Sequence, residues 1–307
     1  MNIKIEITKK QSLPSEGTYK EESVTIFRKN WVLTLLLYTA FICFALESAA
    51  KPARIISLSS ALTETVDAFG YGNKIVAADV TSTYPAYVNK IPKVSKNRSV
   101  SLEALISFKP DLILAPEGML SPALQTQLKA LKIKYTIVEQ EYSVRGASDF
   151  IKKVGVALDE VQKGIALAKK MEANVAKALQ IVKANTKKSP KVIFIYARGA
   201  GTMSVAGKGS SLDAIIKLAG GRNPIQEFSD FKPYTTEALI KANPDVILMF
   251  DFGVSSLGGK EAVLKMPGMD LINAGKNKKI VSMDGNLLIN FSTRLDQAIL
   301  ELNQQLK

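Results

Sequence analysis

Histidine is absent from this chain of 307 residues, and cysteine occurs once, at position 43. Without histidine, the chain has no Ser-His-Asp or Cys-His catalytic site and no histidine ligand for zinc or haem iron. Cys43 lies within the apolar stretch Trp31–Leu46. If that stretch is removed from the mature protein, no cysteine remains to form a disulfide or a thiolate metal site.

The apolar stretch Trp31–Leu46 carries no charge, follows the basic pair Arg28-Lys29 and precedes the small residues Ser48–Ala50. This order is typical of an export signal, and we expect cleavage after Ala50. The stretch is shorter than the ~20 residues of a membrane-spanning helix. We therefore expect a periplasmic protein, and an uncleaved membrane anchor is the alternative.

The chain that follows the expected cleavage site carries a net positive charge, but its basic residues are not clustered. Residues 51–307 carry 35 lysines and arginines against 23 acidic residues, a formal charge of +12. The lysines are scattered rather than grouped with aromatic residues, which argues against nucleic-acid binding. A soluble basic surface, an anionic ligand and an anionic membrane face remain as interpretations.

One segment of the sequence occurs twice. Residues 101–115 read SLEALISFKPDLILA and residues 235–249 read TTEALIKANPDVILM, with eight of 15 positions identical and an offset of 134 residues. A repeat with this spacing predicts two similar lobes rather than a solenoid, whose repeats are shorter. Two lobes leave a cleft between them, and such clefts are preferred ligand sites.

Short apolar runs alternate with helical stretches, which predicts an α/β fold of βαβ units with parallel sheets. The predicted strands are Arg54–Leu58, Lys74–Ala78, Leu112–Ala115, Ile133–Val138, Lys191–Tyr196, Met203–Ala206, Val246–Phe250 and Lys279–Met283.

From Val144 to about Lys183 the apolar residues recur at helical spacing, which predicts one or two helices, the later one long. Such a helix either connects the lobes or covers one of them. The expected organisation is a leader and export signal (1–50), an N-terminal lobe (51–143), connecting helices (144–186) and a C-terminal lobe (187–307).

Tyr84 lies in the segment TSTYP (81–85), directly after a predicted strand. Loops at the carboxyl ends of strands bind ligands in open α/β sheets. A tyrosine there usually packs at a rim, but tyrosine is also an axial ligand of haem iron. The phenol must lose its proton to bind Fe(III), and a nearby arginine favours that loss. Arg198 follows the first strand of the second lobe and either supplies this charge or pairs with a local carboxylate.

Glu103 and Glu237 occupy equivalent positions in the two repeats. If Ser101 and Thr235 cap their helices, each glutamate lies in the first turn, where it stabilises the helix dipole. The alternative is a pair of symmetric acidic knobs that dock a two-fold partner.

Four further segments are distinctive: VAGKGSSLDAIIKLAGGRN (205–223), DFKPYTTEAL (230–239), SLGGKEAVLKMPGM (256–269) and AGKNKKIVSMD (274–284). In these segments, in TSTYP and in the repeats, the chain resembles the periplasmic haem-binding proteins of bacterial haem ABC importers. The resemblance covers nearly all of residues 54–305. These proteins belong to the long-helix periplasmic-binding-protein superfamily, which also carries siderophores and cobalamin.

The resemblance implies two Rossmann-like lobes with parallel sheets joined by a long connecting helix, the class III periplasmic-binding-protein architecture. It implies that haem b is transported in the interlobe cleft, with Tyr84 as the axial iron ligand and Arg198 beside it. Ser82, Lys232 and Tyr234 are further candidate haem-binding residues. Tyr234 replaces an aliphatic residue of the family, so it either packs or adds a second phenol. A second, histidine-ligated haem is excluded.

The implied partners are an ABC permease dimer with its ATPase, docked by Glu103 and Glu237, and an outer-membrane haem receptor upstream. No reaction is expected to be catalysed. The alternatives are a ferric-siderophore or cobalamin carrier on the same fold and, in another class, a haem or iron enzyme. The enzyme is disfavoured because the chain lacks a catalytic cluster of histidine, cysteine or carboxylate residues.

Overall fold

The apolar runs of the first lobe form a four-stranded sheet. In the computed structural model, which describes residues 51–94, 99–199, 203–233 and 235–307, the strands are β1 (Ile55–Ser57), β2 (Ile75–Ala78), β3 (Leu112–Pro116) and β4 (Lys134–Val138). All pairs are parallel, in the order β2-β1-β3-β4. Every residue of β1 is buried, as expected for a parallel sheet covered on both faces.

Serine caps fix the starts of the helices that cover this sheet. The helices are α1 (Ser60–Ala68), α2 (Leu102–Ile106) and α3 (Pro122–Ala130), with 3-10 turns at Gly72–Lys74 and Ala86–Lys90. Ser59, Ser101 and Ser121 each precede a helix, and each side chain accepts a hydrogen bond from the backbone N–H three residues later. These caps satisfy N–H groups that have no partner within the helix.

The second sheet has five strands: β5 (Val192–Ala197), β6 (Met203–Ala206), β7 (Phe231–Pro233), β8 (Val246–Phe250) and β9 (Ile280–Met283). Its order is β7-β6-β5-β8-β9. The predicted strands agree with the observed ones to within one residue at each end, but β7 was not predicted. It is short, exposed and ends at a proline, all typical of an edge strand.

The second sheet corrects the expectation that both sheets are parallel. Strands β5, β8 and β9 are parallel, whereas β6 pairs antiparallel with both β5 and β7. Only residues 198–202 separate β5 from β6, and a parallel crossover needs a connection of about a dozen residues or more. The short connection therefore forces the antiparallel pairing.

Along the chain, two helices follow the last strand of the first sheet and precede the first strand of the second sheet. They are α4 (Val144–Ala157) and α5 (Val161–Asn185). The 25 residues of α5 span about 37 Å at 1.5 Å per residue. Its buried stripe, which includes Met171, Val175 and Val182, belongs to one apolar cluster with residues of both sheets. The prediction of a long connecting helix is confirmed. Residues 139–143 link β4 to α4, and residues 186–191 link α5 to β5.

Two glycines allow α4 and α5 to approach closely. A Cβ atom added at Gly155 would lie 3.0 Å from the Cα atom of Gly164 and 3.1 Å from the ring of Phe69. The glycines therefore serve the packing of this helix pair against the first lobe.

The remaining helices cover the second sheet. They are α6 (Ser211–Leu218), α7 (Thr236–Ala242), α8 (Asp251–Ser256), α9 (Lys260–Leu264), α10 (Asn273–Lys276), α11 (Gly285–Ile289) and α12 (Leu295–Gln305), with a 3-10 turn at Met269–Leu271. Residues 51–307 form one unit. The expected leader and export signal lie outside the described residues. Within the described part of the chain, no helix has the length and apolar character needed to cross a membrane.

Candidate functional site

The loop that carries Tyr84 begins directly after β2 and is fixed by Asp79. The Asp79 carboxylate accepts a hydrogen bond from the backbone N–H of Thr81, at 2.9 Å, and further bonds from the hydroxyls of Thr81 and Ser82. One carboxylate thus accepts three hydrogen bonds from two residues, Thr81 and Ser82, as in Asx-type turns. The backbone that leads to Tyr84 is therefore held in one conformation by the Asp79 side chain.

Ser82 was expected to be a haem-binding residue, but its side chain lies in the protein interior. It is 0% exposed, and its hydroxyl shares a 2.9 Å hydrogen bond with the hydroxyl of Thr63. Lys93 Nζ donates to the Ser82 carbonyl at 2.6 Å. We therefore assign Ser82 the role of anchoring the loop.

The second lobe holds the same loop through Asn286, in α11. Its side-chain amide donates to the Thr81 carbonyl at 3.1 Å and to the Thr83 hydroxyl at 2.7 Å. Asp284 caps this helix by accepting from the Leu287 N–H at 2.8 Å. The position of the Tyr84 loop thus depends on both lobes.

If a ligand binds at the Tyr84 loop, we expect Asn286→Ala to weaken its binding. Two hydrogen bonds of about 0.5–1.5 kcal/mol each would be lost, together about 1–3 kcal/mol, so a decrease in affinity of roughly five- to 150-fold is expected. Isothermal titration measures it. Asn277→Ala, in a different loop of the same lobe, is the matched control. If both variants bind equally well, Asn286 does not support the site.

Tyr84 lies on the wall of a cavity of about 300 Å³ between the first lobe, the connecting helix α5 and the C-terminal segment. Its side chain is 41% exposed. The other walls come from α1, from the middle of α5 and from the residues around the start of α12, and they include Glu64, Lys170, Met171, Asn174 and Arg294. The volume is at the lower end for small-molecule sites, so a larger ligand would extend out of this cavity.

The cation next to Tyr84 is Arg294, not the expected Arg198. The guanidinium carbon of Arg294 lies 3.5 Å from the centroid of the Tyr84 ring, a stacked cation–π contact. Arg198 is exposed, and its guanidinium carbon lies 5.7 Å from the centroid of Phe252. Among the described contacts, none joins Arg198 to Tyr84.

Five rings form an aromatic wall on the second lobe, three of them at or next to the carboxyl ends of β5 and β8, one in the middle of β5 and one at the start of β7. They are Phe194, Tyr196, Phe231, Phe250 and Phe252, and neighbouring ring centroids lie 4.6–6.2 Å apart. Phe231 and Phe252 are 41% and 44% exposed. Carboxyl ends of parallel strands are where open α/β sheets bind ligands.

The aromatic wall adjoins the Tyr84 loop through α11. A Cβ atom at Gly285 would lie 3.3 Å from the ring of Phe250. The next residue, Asn286, donates the hydrogen bond to Thr83 described above. The wall and the Tyr84 loop are thus linked through two consecutive residues of α11.

The tyrosine hydroxyls fall into two groups. Tyr71, Tyr87 and Tyr135 donate to the side chains of Glu160, Asp67 and Gln125. By contrast, the hydroxyls of Tyr84, Tyr142 and Tyr196 form no hydrogen bond with any described residue. Burial, and then the charge of Asp230, raise the pKa of Tyr142. Among the described residues, these three phenols are available to a ligand.

Two further candidates come from the segment 230–239. Lys232 is exposed on β7, and its Nζ lies 5.1 Å from the centroid of the Phe228 ring. Tyr234 lies outside the described residues, so the choice between packing and a second phenol stays open.

Glu103 and Glu237 have the same local geometry in the two lobes. Ser101 and Thr235 accept from the N–H groups of Ala104 and Ala238, both at 3.2 Å. Each glutamate lies in the first turn, and its own backbone N–H, followed by the hydroxyl of the capping residue, lowers the pKa of its carboxyl. Both are exposed, and no ion pair among the described residues includes them.

Known proteins resemble this chain over most of its length. A model of the periplasmic binding protein family matches residues 55–287. An uncharacterized ABC transporter substrate-binding lipoprotein, YvrC of Bacillus subtilis (strain 168), is 30% identical over 83% of this chain and 80% of its own length. A vitamin B12-binding protein of Vibrio vulnificus (strain CMCP6) is 27% identical over 82% of this chain and 89% of its own length.

A solved structure shares the fold. The apo form of the periplasmic heme-binding protein RhuT from Roseiflexus sp. RS-1 superposes with a TM-score of 0.78 and 32% identity, covering 82% of this chain and 97% of that protein. The two-lobed architecture with a long connecting helix is therefore that of the class III periplasmic binding proteins.

Proposed function

Because this chain belongs to the periplasmic binding protein family, whose members supply substrates to ABC transporters, we propose that it captures ferric haem between its lobes. The observation that carries the proposal is Tyr84. Its hydroxyl has no partner among the described residues, while the neighbouring hydroxyls of Thr81, Ser82 and Thr83 are all hydrogen-bonded. The loop is ordered by its other polar groups, and the phenol on the cavity wall is left for a ligand.

The chemistry of the chain supports iron as the atom that Tyr84 binds. A phenolate is an established axial ligand of ferric haem. The chain has no histidine, and its one cysteine lies in the expected export signal. Among the described residues, no group of three histidine, cysteine, aspartate or glutamate side chains is arranged to hold a bare metal ion. A metal that arrives within a macrocycle needs only one further protein ligand, which Tyr84 provides.

The aromatic wall favours a flat conjugated ligand over a hydroxamate siderophore. Exposed rings such as Phe231 and Phe252 gain most by stacking on another π-system. Arg198 and Lys232 are exposed cations on the same lobe, able to pair with the propionates of haem. In this proposal Arg198 binds a carboxylate of the ligand rather than the Tyr84 phenol.

A second candidate is cobalamin, because a curated relative is named a vitamin B12-binding protein. A corrin ring is also large and partly conjugated, but its side chains are mostly neutral amides. Cobalamin carries one anionic phosphodiester, whereas haem carries two propionates, so only one of Arg198 and Lys232 would have an anionic partner on cobalamin. The charge of these two residues therefore favours haem.

Delivery requires an ABC permease and its ATPase. We assign Glu103 and Glu237, one on each lobe, to contacts with the two permease subunits. Export by the N-terminal segment, with cleavage after Ala50, places the protein in the periplasm. The mass of the protein recovered from the producing cell distinguishes cleavage from a retained anchor.

Absorption titrations test the choice of ligand. The full protein is titrated separately with hemin, cyanocobalamin and a ferric hydroxamate siderophore. We expect a high-spin ferric spectrum with a phenolate-to-iron band for hemin, and no saturable change with the other two. Saturable binding of cyanocobalamin in preference to hemin would overturn the proposal in favour of the second candidate.

A further inference from the structure

A buried carboxylate on α1 gathers its partners from a single distant segment. Glu64 is 3% exposed, and its side chain accepts hydrogen bonds from Asn290, Thr293 and Arg294 at 3.0, 3.2 and 2.7 Å. All three donors follow α11, more than 220 residues away in sequence. A carboxylate in such a site remains tolerable because it is fully hydrogen-bonded and paired with a cation.

Arg294 has two principal partners. Its Nη2 atom donates to Glu64, and the face of its guanidinium lies against the Tyr84 ring. The side chain is only 15% exposed, and its buried Nε atom has no hydrogen-bond partner. The orientation of the guanidinium is thus set by Glu64 on one side and by the Tyr84 ring on the other.

We propose that Arg294 is the positioning residue of Tyr84 and that Glu64 fixes Arg294 for this task. The planar guanidinium supports the ring, so that the phenol oxygen stays on the cavity wall. A lysine in its place would keep the charge but lose the flat surface. This inference rests on the proposed function, in which Tyr84 is the iron ligand.

The arrangement also links the ligand to the contact between the lobes. Glu64 and Tyr84 belong to the first lobe, whereas Arg294 belongs to the C-terminal segment that follows the second sheet. Asn286 joins the backbone of the Tyr84 loop to the second lobe, and Arg294 joins the Tyr84 ring itself to the C-terminal segment. Loss of the Glu64–Arg294 pair should free the ring and change the geometry of the iron–phenolate bond.

The test compares Arg294→Gln, Arg294→Lys and Glu64→Gln with the unchanged protein. The measured quantities are hemin affinity, the wavelength and intensity of the phenolate-to-iron band, and the melting temperature. A stacked cation in a desolvated site is worth roughly tenfold or more in affinity, so Arg294→Gln should weaken hemin binding by at least that factor and shift the band. Glu64→Gln should shift the band in the same direction by less.

Arg294→Lys distinguishes two roles of Arg294: positioning of the Tyr84 ring by the flat guanidinium, and stabilisation of the fold by the ion pair with Glu64. It should recover much of the melting temperature, because the pair with Glu64 is kept, but leave the band shifted. Arg145→Gln is the matched control, because Arg145 forms an exposed ion pair with Asp149 at 3.7 Å. We expect this control to leave the band, the affinity and the melting temperature unchanged.

Two outcomes would overturn the inference. One is an unchanged band and affinity in Arg294→Gln. The other is full recovery of the band in Arg294→Lys, which would show that charge suffices without the flat guanidinium. Tyr84→Phe, measured alongside, distinguishes failure of the inference from failure of the proposed function. If Tyr84→Phe retains the band, Tyr84 is not the ligand and the proposed site fails; if it loses the band, only the role of Arg294 is at issue.

Discussion

Replacement of Tyr84 by phenylalanine is expected to remove the phenolate-to-iron band and to weaken hemin binding by roughly 100-fold or more. The substitution deletes the ligand oxygen and keeps the ring that stacks on Arg294. Loss of groups that merely orient a metal ligand already costs about 10- to 100-fold in affinity, and loss of the ligand itself should cost at least as much. Hemin titration followed by absorption and by competition measures both effects.

The fold of this variant should be unaffected, because the Tyr84 hydroxyl forms no hydrogen bond with a described residue. Tyr135→Phe is the matched control, since the Tyr135 hydroxyl donates to Gln125 at 3.3 Å within the first lobe. We expect this control to bind hemin normally.

Tyr196→Phe tests whether Tyr196, in the aromatic wall, binds the iron instead of Tyr84. The Tyr196 hydroxyl also forms no hydrogen bond with a described residue. A hemin complex that keeps its band in Tyr84→Phe and loses it in Tyr196→Phe would assign the iron to the second lobe. That result would reject Tyr84 as the ligand while leaving haem as the cargo.

Reversal of both Glu103 and Glu237 to arginine is expected to abolish haem delivery while leaving hemin binding unchanged. A permease with two equivalent subunits offers two equivalent basic sites, and the two glutamates occupy equivalent, exposed first-turn positions. Like charges brought together across a contact cost several kcal/mol, so the double reversal should prevent docking. Reversal of one glutamate should reduce delivery partly. Transport of haem into vesicles that contain the permease and its ATPase measures delivery by the single and the double variants.

A matched double reversal, Glu172→Arg with Glu261→Arg, makes the same change in net charge at exposed positions outside the repeats. We expect it to deliver haem at the normal rate. If the Glu103 and Glu237 double variant is folded, loaded and delivers haem as fast as this control, the glutamates serve only their helices.

The pH dependence of docking follows from the same geometry. The backbone N–H of each glutamate, followed by the hydroxyl of Ser101 or Thr235, lowers the pKa of the carboxyl. A carboxyl with a lowered folded-state pKa stabilises the fold above its unfolded pKa, and this contribution is lost as the pH falls through the folded value. Because the pKa values of both carboxyls lie below the ordinary glutamate range, both side chains stay mostly negative as the pH falls from about 7 to about 5. Delivery that declined over this range at constant hemin loading would argue against these carboxylates as the docking charges.

The sequence by itself determined the features that depend on neighbouring residues. The two copies of the repeat predict the same capped helix and strand, and Glu103 and Glu237 indeed have the same surroundings. The apolar periodicity of residues 144–183 predicts the connecting helices, because one face of a helix must be buried. The position of Tyr84 after β2 also follows from the chain order, since a loop must begin where its strand ends.

Tertiary structure decided the contacts between residues that are distant in sequence. Nothing in the pattern around Arg294 indicates that it lies against Tyr84, 210 positions earlier, and Arg198 was a reasonable choice on position alone. The burial of Ser82 and the approach of Asn286 likewise depend on how the lobes pack. Local propensity and periodicity set each element, but the direction of a long side chain depends on which distant elements surround it. The side-chain contacts of Tyr84 are therefore decided only when the two lobes pack together.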